Sequence, residues 1–201
     1  MASRRSLIAA LAMVVSVAGV LVLRQPATAP ASTPAAVEPA TPGAAAPRPG
    51  GPTAPELVGG GAWINSEPLT LADLTGQGKV VLINFWTYGC YNCRNTLPYV
   101  KQWWQTYKDQ GLVIIGVHTP EFDSEKGLEN VRAAVQREGI GWPVVQDNDW
   151  RIWRAYGNHY WPRFYLVNHR GQIIYDHIGE GAYDETERQI VAALAAAQAG
   201  A

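Results

Sequence analysis

The 201-residue chain has only two cysteines, Cys90 and Cys93, and four histidines. These are too few for a structural zinc site built from cysteine and histidine alone, so a metal would need carboxylates or a second chain. Basic residues number 16 and acidic residues 17, so neither sign of charge is in excess. A nucleic-acid-binding surface is therefore not indicated, and we expect neither a metal nor a separate cofactor.

The amino terminus carries the one long apolar run of the sequence. Arg4 and Arg5 precede it, and it extends from Leu7 to Leu23. A basic start followed by an apolar segment is typical of a secretory signal or a membrane anchor, and this run is long for a signal. An Ala-x-Ala motif lies at residues 27–29, but Pro30 follows it and makes it a poor cleavage site. We therefore favour an uncleaved anchor at residues 1–24, with its basic end inside the cell; the alternative is a cleaved signal and a secreted product.

Residues 25–55 are mostly alanine, proline, glycine and threonine, without apolar periodicity. This composition predicts a disordered, semi-rigid tether rather than a core-forming segment. The globular domain is then expected at residues 56–201. With either form of the amino terminus, we expect that domain on the outer, periplasmic or extracytoplasmic, side of the cell membrane.

Strand and helix patterns alternate through the rest of the chain. They predict strands at 62–64, 79–86, 112–118, 142–146, 163–168 and 172–178, and helices at 90–110, 124–138, 150–156 and 183–198. Ser124 is the expected N-cap of the second of these helices. The order predicts an α/β fold with parallel strands crossed by helices, ending in an antiparallel hairpin and a last helix.

The two cysteines form the motif Cys90-Tyr91-Asn92-Cys93 between a buried-strand pattern and a helix pattern. This placement puts the sulfur of Cys90 at a helix N-terminus, where the backbone favours a thiolate. Cys93, one turn further, is the expected buried resolving thiol. A permanent structural disulfide with this spacing would close almost no loop and would stabilise little. The motif therefore predicts thiol–disulfide exchange.

Further landmarks follow the CxxC motif in order. They are Pro98, Gly-Val-His-Thr-Pro-Glu-Phe at 116–122, Asp-Asn-Asp at 147–149, Tyr-Trp-Pro at 160–162 and Gly-Glu-Gly at 179–181. With residues 84–93, this series resembles the thioredoxin fold, and within it the TlpA/ResA-type exported thiol–disulfide oxidoreductases. It is closer still to the thioredoxin-like domain of DipZ-type cytochrome c biogenesis proteins. The resemblance covers residues 57–198 and implies a central mixed sheet flanked by helices.

The resemblance also implies roles for residues around the motif. Asn84 stands where thioredoxin keeps an acidic residue, so Glu121 is suggested instead as a partly buried carboxylate that exchanges protons with Cys93. His118 is expected to be a packed strand-end residue. The bond before Pro162 is expected to be cis and to face the CxxC motif. The expected contacts to a peptide substrate are Trp86, Tyr91, Asn92, Trp161 and Pro162, although a role in the core would explain Trp86 equally well.

The expected activity is the reduction of protein disulfides by an exported, membrane-tethered oxidoreductase. The resemblance suggests a membrane electron carrier as its reductant and apocytochrome c among its clients. Two alternatives remain open. One is a thiol peroxidase of the redoxin group, although the Pro-x-x-x-Thr/Ser-x-x-Cys loop typical of that chemistry is missing here. The other is a tethered module that binds a peptide without catalysis.

Overall fold

The computed structural model describes residues 50–200. The predicted anchor and residues 25–49 of the predicted tether lie outside the described residues. The strands are β1 (Trp63–Ile64), β2 (Val80–Trp86), β3 (Leu112–His118), β4 (Val144–Gln146), β5 (Arg163–Val167) and β6 (Ile173–Ile178). The helices are α1 (Leu71–Gly76), α2 (Tyr91–Tyr107), α3 (Leu128–Arg137), α4 (Arg151–Ala155) and α5 (Tyr183–Ala199), with short 3₁₀ turns at Lys108–Gln110 and Asp123–Lys126.

The six strands form one mixed sheet in the order β1-β4-β3-β2-β5-β6. Strands β2, β3 and β4 are parallel, and the other neighbouring pairs are antiparallel. Trp86 lies opposite His118, so β2 and β3 end together. Arg163 lies opposite Phe85, so β5 begins at the same edge. The carboxyl ends of β2 and β3 and the start of β5 therefore meet at one edge of the sheet, where ligands bind in such folds.

Helices cover both faces of the sheet. Since successive side chains of β2 point to opposite faces, this strand contributes to a separate core cluster on each side. Val80 and Leu82 belong to a core cluster with residues of α2, α3 and α5. Val81, Ile83 and Phe85 belong to a second cluster with residues of α1 and α4. Every residue of β2 is buried, which explains its nearly continuous apolar sequence. The strand leading to the CxxC motif is thus the centre of the molecule.

The ordered domain begins earlier than the sequence predicts. Thr53 pairs with Gln172 in an antiparallel bridge. The backbone N–H of Ala54 donates to Gly171, and that of Ile173 donates to Pro52. An edge strand has unpaired backbone groups, and residues 52–54 satisfy some of those on β6. The boundary placed at residue 55 is therefore too late.

The helix predicted from Ser124 begins later, at Leu128, with Gly127 as its N-cap. Ser124 instead lies in the 3₁₀ turn Asp123–Lys126. The reason is Glu125, whose side chain binds backbone N–H groups of two loops. The chain turns to bring that carboxylate inward and starts the helix only afterwards. The prediction of Ser124 as the N-cap is wrong.

Candidate active site

The two cysteines differ in exposure, and the first one caps a helix. Sγ of Cys90 accepts a hydrogen bond from the backbone N–H of Cys93 at 3.1 Å, immediately before α2. Cys90 is half-buried, whereas Cys93 is 2% exposed and packs in the core. Their sulfurs form a disulfide, with Cα atoms 5.2 Å apart. On reduction, this geometry places one accessible sulfur at the positive end of a helix and a second sulfur directly behind it.

The loop between β2 and α2 is held by the segment that follows β3. The backbone N–H of Gly89 donates to Oε1 of Glu125 at 3.0 Å. The hydroxyl of Tyr88 donates to the carbonyl of Ser124 at 2.8 Å. These two bonds join the residues just before Cys90 to the 3₁₀ turn. The position of the CxxC motif therefore depends on a segment more than thirty residues away.

The buried carboxylate beside the motif is Glu125, not Glu121. Glu125 is 2% exposed, and its Oε2 accepts the backbone N–H groups of Glu121 at 2.7 Å and Phe122 at 3.2 Å. The side chain of Glu121 is exposed, so the expectation of its partial burial is wrong. The loop contributes the backbone of Glu121 and turns its side chain outward. In the sequence Asp-Ser-Glu-Lys at residues 123–126, nothing distinguishes Glu125 from a solvent-exposed glutamate in the first turn of a helix.

His118 lies beneath this loop at the end of β3 and is fully buried. Its Nε2 is 3.3 Å from Oγ1 of Thr87, and its ring stacks on Tyr88 and meets the edge of Trp86. Burial lowers the pKa of His118 from 6.5 to about 4, against the opposing effect of the charge on Glu125. The imidazole is therefore neutral near pH 7. The expectation of a packed strand-end residue is confirmed.

The segment before β5 completes the site. The Trp161–Pro162 bond is cis, as the resemblance implies. The indole Nε1 of Trp161 donates to the carbonyl of Thr119 at 3.1 Å, which links this segment to the loop after β3. The ring of Trp161 also packs on Trp153 and Trp150, with centroids 4.2 and 5.3 Å away. Trp161 is thereby fixed at the same sheet edge as the disulfide.

Three of the five residues expected to contact a substrate are accessible, and two are buried. Tyr91 is 67% exposed, Asn92 is exposed, and Trp161 is half-buried, while the side chain of Pro162 is buried. Trp86 is 3% exposed inside the core. Its predicted substrate contact is wrong, because β2 is a central strand with both faces covered. Phe122 is 60% exposed and lies in the loop whose backbone N–H groups bind Glu125. It was not among the expected substrate contacts, because a single aromatic residue in a charged loop is a weak signal.

Between residues 50 and 200, no group of three or more histidine, cysteine, aspartate or glutamate side chains is placed to bind a metal ion. Over the same part of the chain, none of the helices has the length and apolar character needed to cross a membrane.

The mixed sheet, the helix-capping disulfide and the cis-proline together define a thiol–disulfide oxidoreductase domain of the thioredoxin fold. Residues 52–176 match the AhpC/TSA family, and the chain belongs to that family. The resemblance drawn from the motifs, to TlpA/ResA-type and DipZ-type proteins, is confirmed by relatives of both types.

The chain is 44% identical over 135 residues to Protein DipZ of Mycobacterium tuberculosis, covering 66% of this chain and 19% of DipZ. It therefore spans about a fifth of that relative. It is 32% identical over 116 residues to the thiol-disulfide oxidoreductase ResA of Halalkalibacterium halodurans, covering 58% of this chain and 62% of ResA. The crystal structure of the thioredoxin domain of a thiol-disulfide oxidoreductase from Bacteroides vulgatus has a TM-score of 0.57 and 26% identity, covering 70% of this chain and 96% of that one.

Proposed function

We propose that this oxidoreductase reduces disulfides of other proteins and works outside the cytoplasmic membrane. One observation carries the reaction: an accessible Cys90 caps α2 and forms a disulfide with a buried Cys93. A helix N-terminus favours the thiolate that attacks, and a buried second thiol is held within reach of the first sulfur.

The reaction proceeds in two exchanges. The Cys90 thiolate attacks one sulfur of the substrate disulfide; a Cys90–substrate bond forms, the substrate S–S bond breaks, and the departing sulfur leaves as a thiolate that takes up a proton. The Cys93 thiol then loses its proton and attacks Sγ of Cys90. The Cys90–Cys93 disulfide forms, and the second substrate sulfur leaves and is protonated. The substrate gains two electrons and two protons, and the protein becomes oxidised.

A dithiol of a membrane electron carrier returns the two electrons by the same exchange in reverse. Support for this partner, and for apocytochrome c as a client, comes from the resemblance in the motifs. Support for the location comes from the basic and apolar residues 4–23, with residues 25–49 as the tether. Carbonate extraction of membranes and protease digestion of intact spheroplasts test the location. Recovery of the chain in the cytoplasmic fraction would contradict it.

Insulin reduction by the full chain in the presence of dithiothreitol tests the activity. We expect Cys90→Ser to abolish turnover, because no attacking sulfur remains. Cys93→Ser, the matched variant, should accumulate mixed disulfides through Cys90, visible on a non-reducing gel. Absence of turnover by the wild type would overturn the reductase proposal. Peroxide consumption instead would identify a thiol peroxidase, and peptide binding that survives Cys90→Ser without any turnover would identify a binding module.

A further inference from the structure

The two-exchange mechanism makes no use of Glu125, although this glutamate is one of the most deeply buried charged residues near the motif. A carboxylate is almost never fully buried unless it is paired. Within residues 50–200, none of the ion pairs includes Glu125. Its two oxygens instead accept three backbone N–H groups, from Gly89, Glu121 and Phe122. The carboxylate is thus held by backbone N–H groups and forms no ion pair with any residue that the structure describes.

The carboxylate packs directly against the residue that precedes the attacking cysteine. A β-carbon built on Gly89 would collide with Oε1 of Glu125, so a larger residue there would displace the carboxylate from its present position. The next residue is Cys90. The hydroxyl of Tyr88 adds a second link from the same loop to the 3₁₀ turn, through the carbonyl of Ser124. Both links join the residues just before Cys90 to the turn that carries the buried carboxylate.

We propose that Glu125 is a positioning residue: it fixes the loop that carries Cys90, and its charge disfavours the Cys90 thiolate and so makes the dithiol a stronger reductant. Two like charges repel most in a site with little water. The disulfide carries no charge at Cys90, so the repulsion acts only on the reduced state. A less stable reduced state means a lower reduction potential. This inference rests on the proposed reductase function and deepens it.

Other ionisable groups lie on the elements around this loop, and within residues 50–200 none of them forms an ion pair with Glu125. His118 is neutral near pH 7 because burial lowers its pKa to about 4. Asp123 and Lys126 pair with each other at the surface. The remaining groups on neighbouring elements are the exposed Glu121 carboxylate, the Tyr88 phenol, the buried Asp147, and Arg94 of α2, which lies over the Tyr91 ring.

The test measures the reduction potential of the full chain against glutathione and the pH dependence of Cys90 alkylation by iodoacetamide. Glu125→Gln keeps the size of the side chain and removes its charge. We expect the alkylation midpoint of this variant to fall by on the order of one pH unit. We also expect its equilibrium with glutathione to shift about tenfold toward the dithiol, which corresponds to about 30 mV. Asp123→Asn, an exposed carboxylate change in the same turn, should shift neither quantity.

Glu125→Asp provides a second variant should the glutamine variant fail to fold. The shorter side chain withdraws the charge from Gly89 without removing it, so both quantities should shift in the same direction but by less. An unchanged or lower potential in a folded Glu125 variant would overturn the proposal. Neither readout needs substrate turnover. A shift without insulin reduction would therefore overturn the reductase function alone, and insulin reduction without a shift would overturn only the role of Glu125.

Discussion

At the scale of single residues, burial separates chemically similar side chains into different roles. Glu121 and Glu125 are four positions apart, yet Glu121 is exposed and Glu125 is buried, with only 2% of its surface exposed. His118 is buried whereas His159 is exposed. The cost of removing a charge from water is set by the surroundings that the fold provides. Residue type therefore identifies candidate functional residues, and burial in the folded structure shows which of them can have the expected role.

His118 makes stability depend on pH in a defined window. Its pKa of about 4 in the folded protein is below the ordinary 6.5, so the unfolded chain binds the proton first as the pH falls. Stability from this group is complete above pH 6.5 and is lost toward pH 4, by up to about 3 kcal/mol. We expect His118→Gln to remove most of this loss, measured by urea unfolding at about pH 7 and about pH 4.5. His159→Gln should keep the wild-type dependence; a similar loss in His118→Gln would contradict the assignment.

Glu121 provides a second test at this scale. Its backbone N–H, not its carboxylate, takes part in the hydrogen bonding around the motif. We therefore expect Glu121→Gln to leave the pH profile of insulin reduction unchanged. Steady-state rates between about pH 5 and about pH 9 would show this. A profile that loses one limb in this variant would restore the predicted role of Glu121 as the proton acceptor for Cys93.

At the scale of elements, short segments depend on single caps. Helix α4 has five residues, and Trp150 at its N-cap adopts a left-handed conformation without a side-chain cap bond. The cap comes instead from the fully buried Asp147. Its oxygens accept the N–H groups of Ile152 at 3.1 Å and Trp153 at 2.8 Å, and the hydroxyl of Thr119 at 3.3 Å. One side chain thus connects α4 to the loop after β3.

We expect Asp147→Ala to lower the free energy of unfolding by about 2 kcal/mol, because it leaves buried N–H groups without acceptors. Urea unfolding followed by tryptophan fluorescence measures this loss. Asp149→Ala is the matched control: its carboxylate is exposed and lies only loosely beside Arg151, so its effect should stay below about 0.5 kcal/mol. Equal effects of the two substitutions would contradict the capping role.

Element boundaries show what a pattern can predict. The bounds of β3 agree with the prediction residue for residue, because its apolar run is buried at every position except the half-buried Val113. The start of α3 does not agree, since it depends on the backbone donors that the carboxylate of Glu125 finds in its own loop and in the loop before Cys90. A local sequence pattern contains information on the burial of a strand, but it contains none on hydrogen bonds between segments far apart in the chain.

At the scale of the whole molecule, the residues before β1 belong to the folded domain. Ala54 and Leu57 are buried. The Glu56 carboxylate accepts the N–H groups of Leu71 and Ala72 at the start of α1, both at 2.8 Å. The carbonyl of Pro55 accepts the hydroxyl of Tyr156 at 2.7 Å. This segment closes one edge of the sheet and one end of a helix.

A chain that starts at residue 56 should therefore be less stable than one that starts at residue 50, by at least about 2 kcal/mol. Thermal and urea unfolding of the two fragments, compared with the full chain, would measure the difference. The fragment from residue 50 should match the full chain. Equal stability of both fragments would contradict the boundary found here and support the predicted one at residue 55.

The sequence by itself determined which residues form the candidate redox pair. A CxxC motif between a buried strand and a helix predicts a reactive dithiol, since strand and helix periods and the helix dipole are local properties. Only the tertiary structure decided which carboxylate lies beside that dithiol, that Trp86 is enclosed, and that residues 52–54 complete an edge. Those facts depend on contacts between segments far apart in the chain, where burial and hydrogen bonding select one of several chemically equivalent side chains. The Cys90–Cys93 pair is therefore encoded locally, and its surroundings are encoded by the fold.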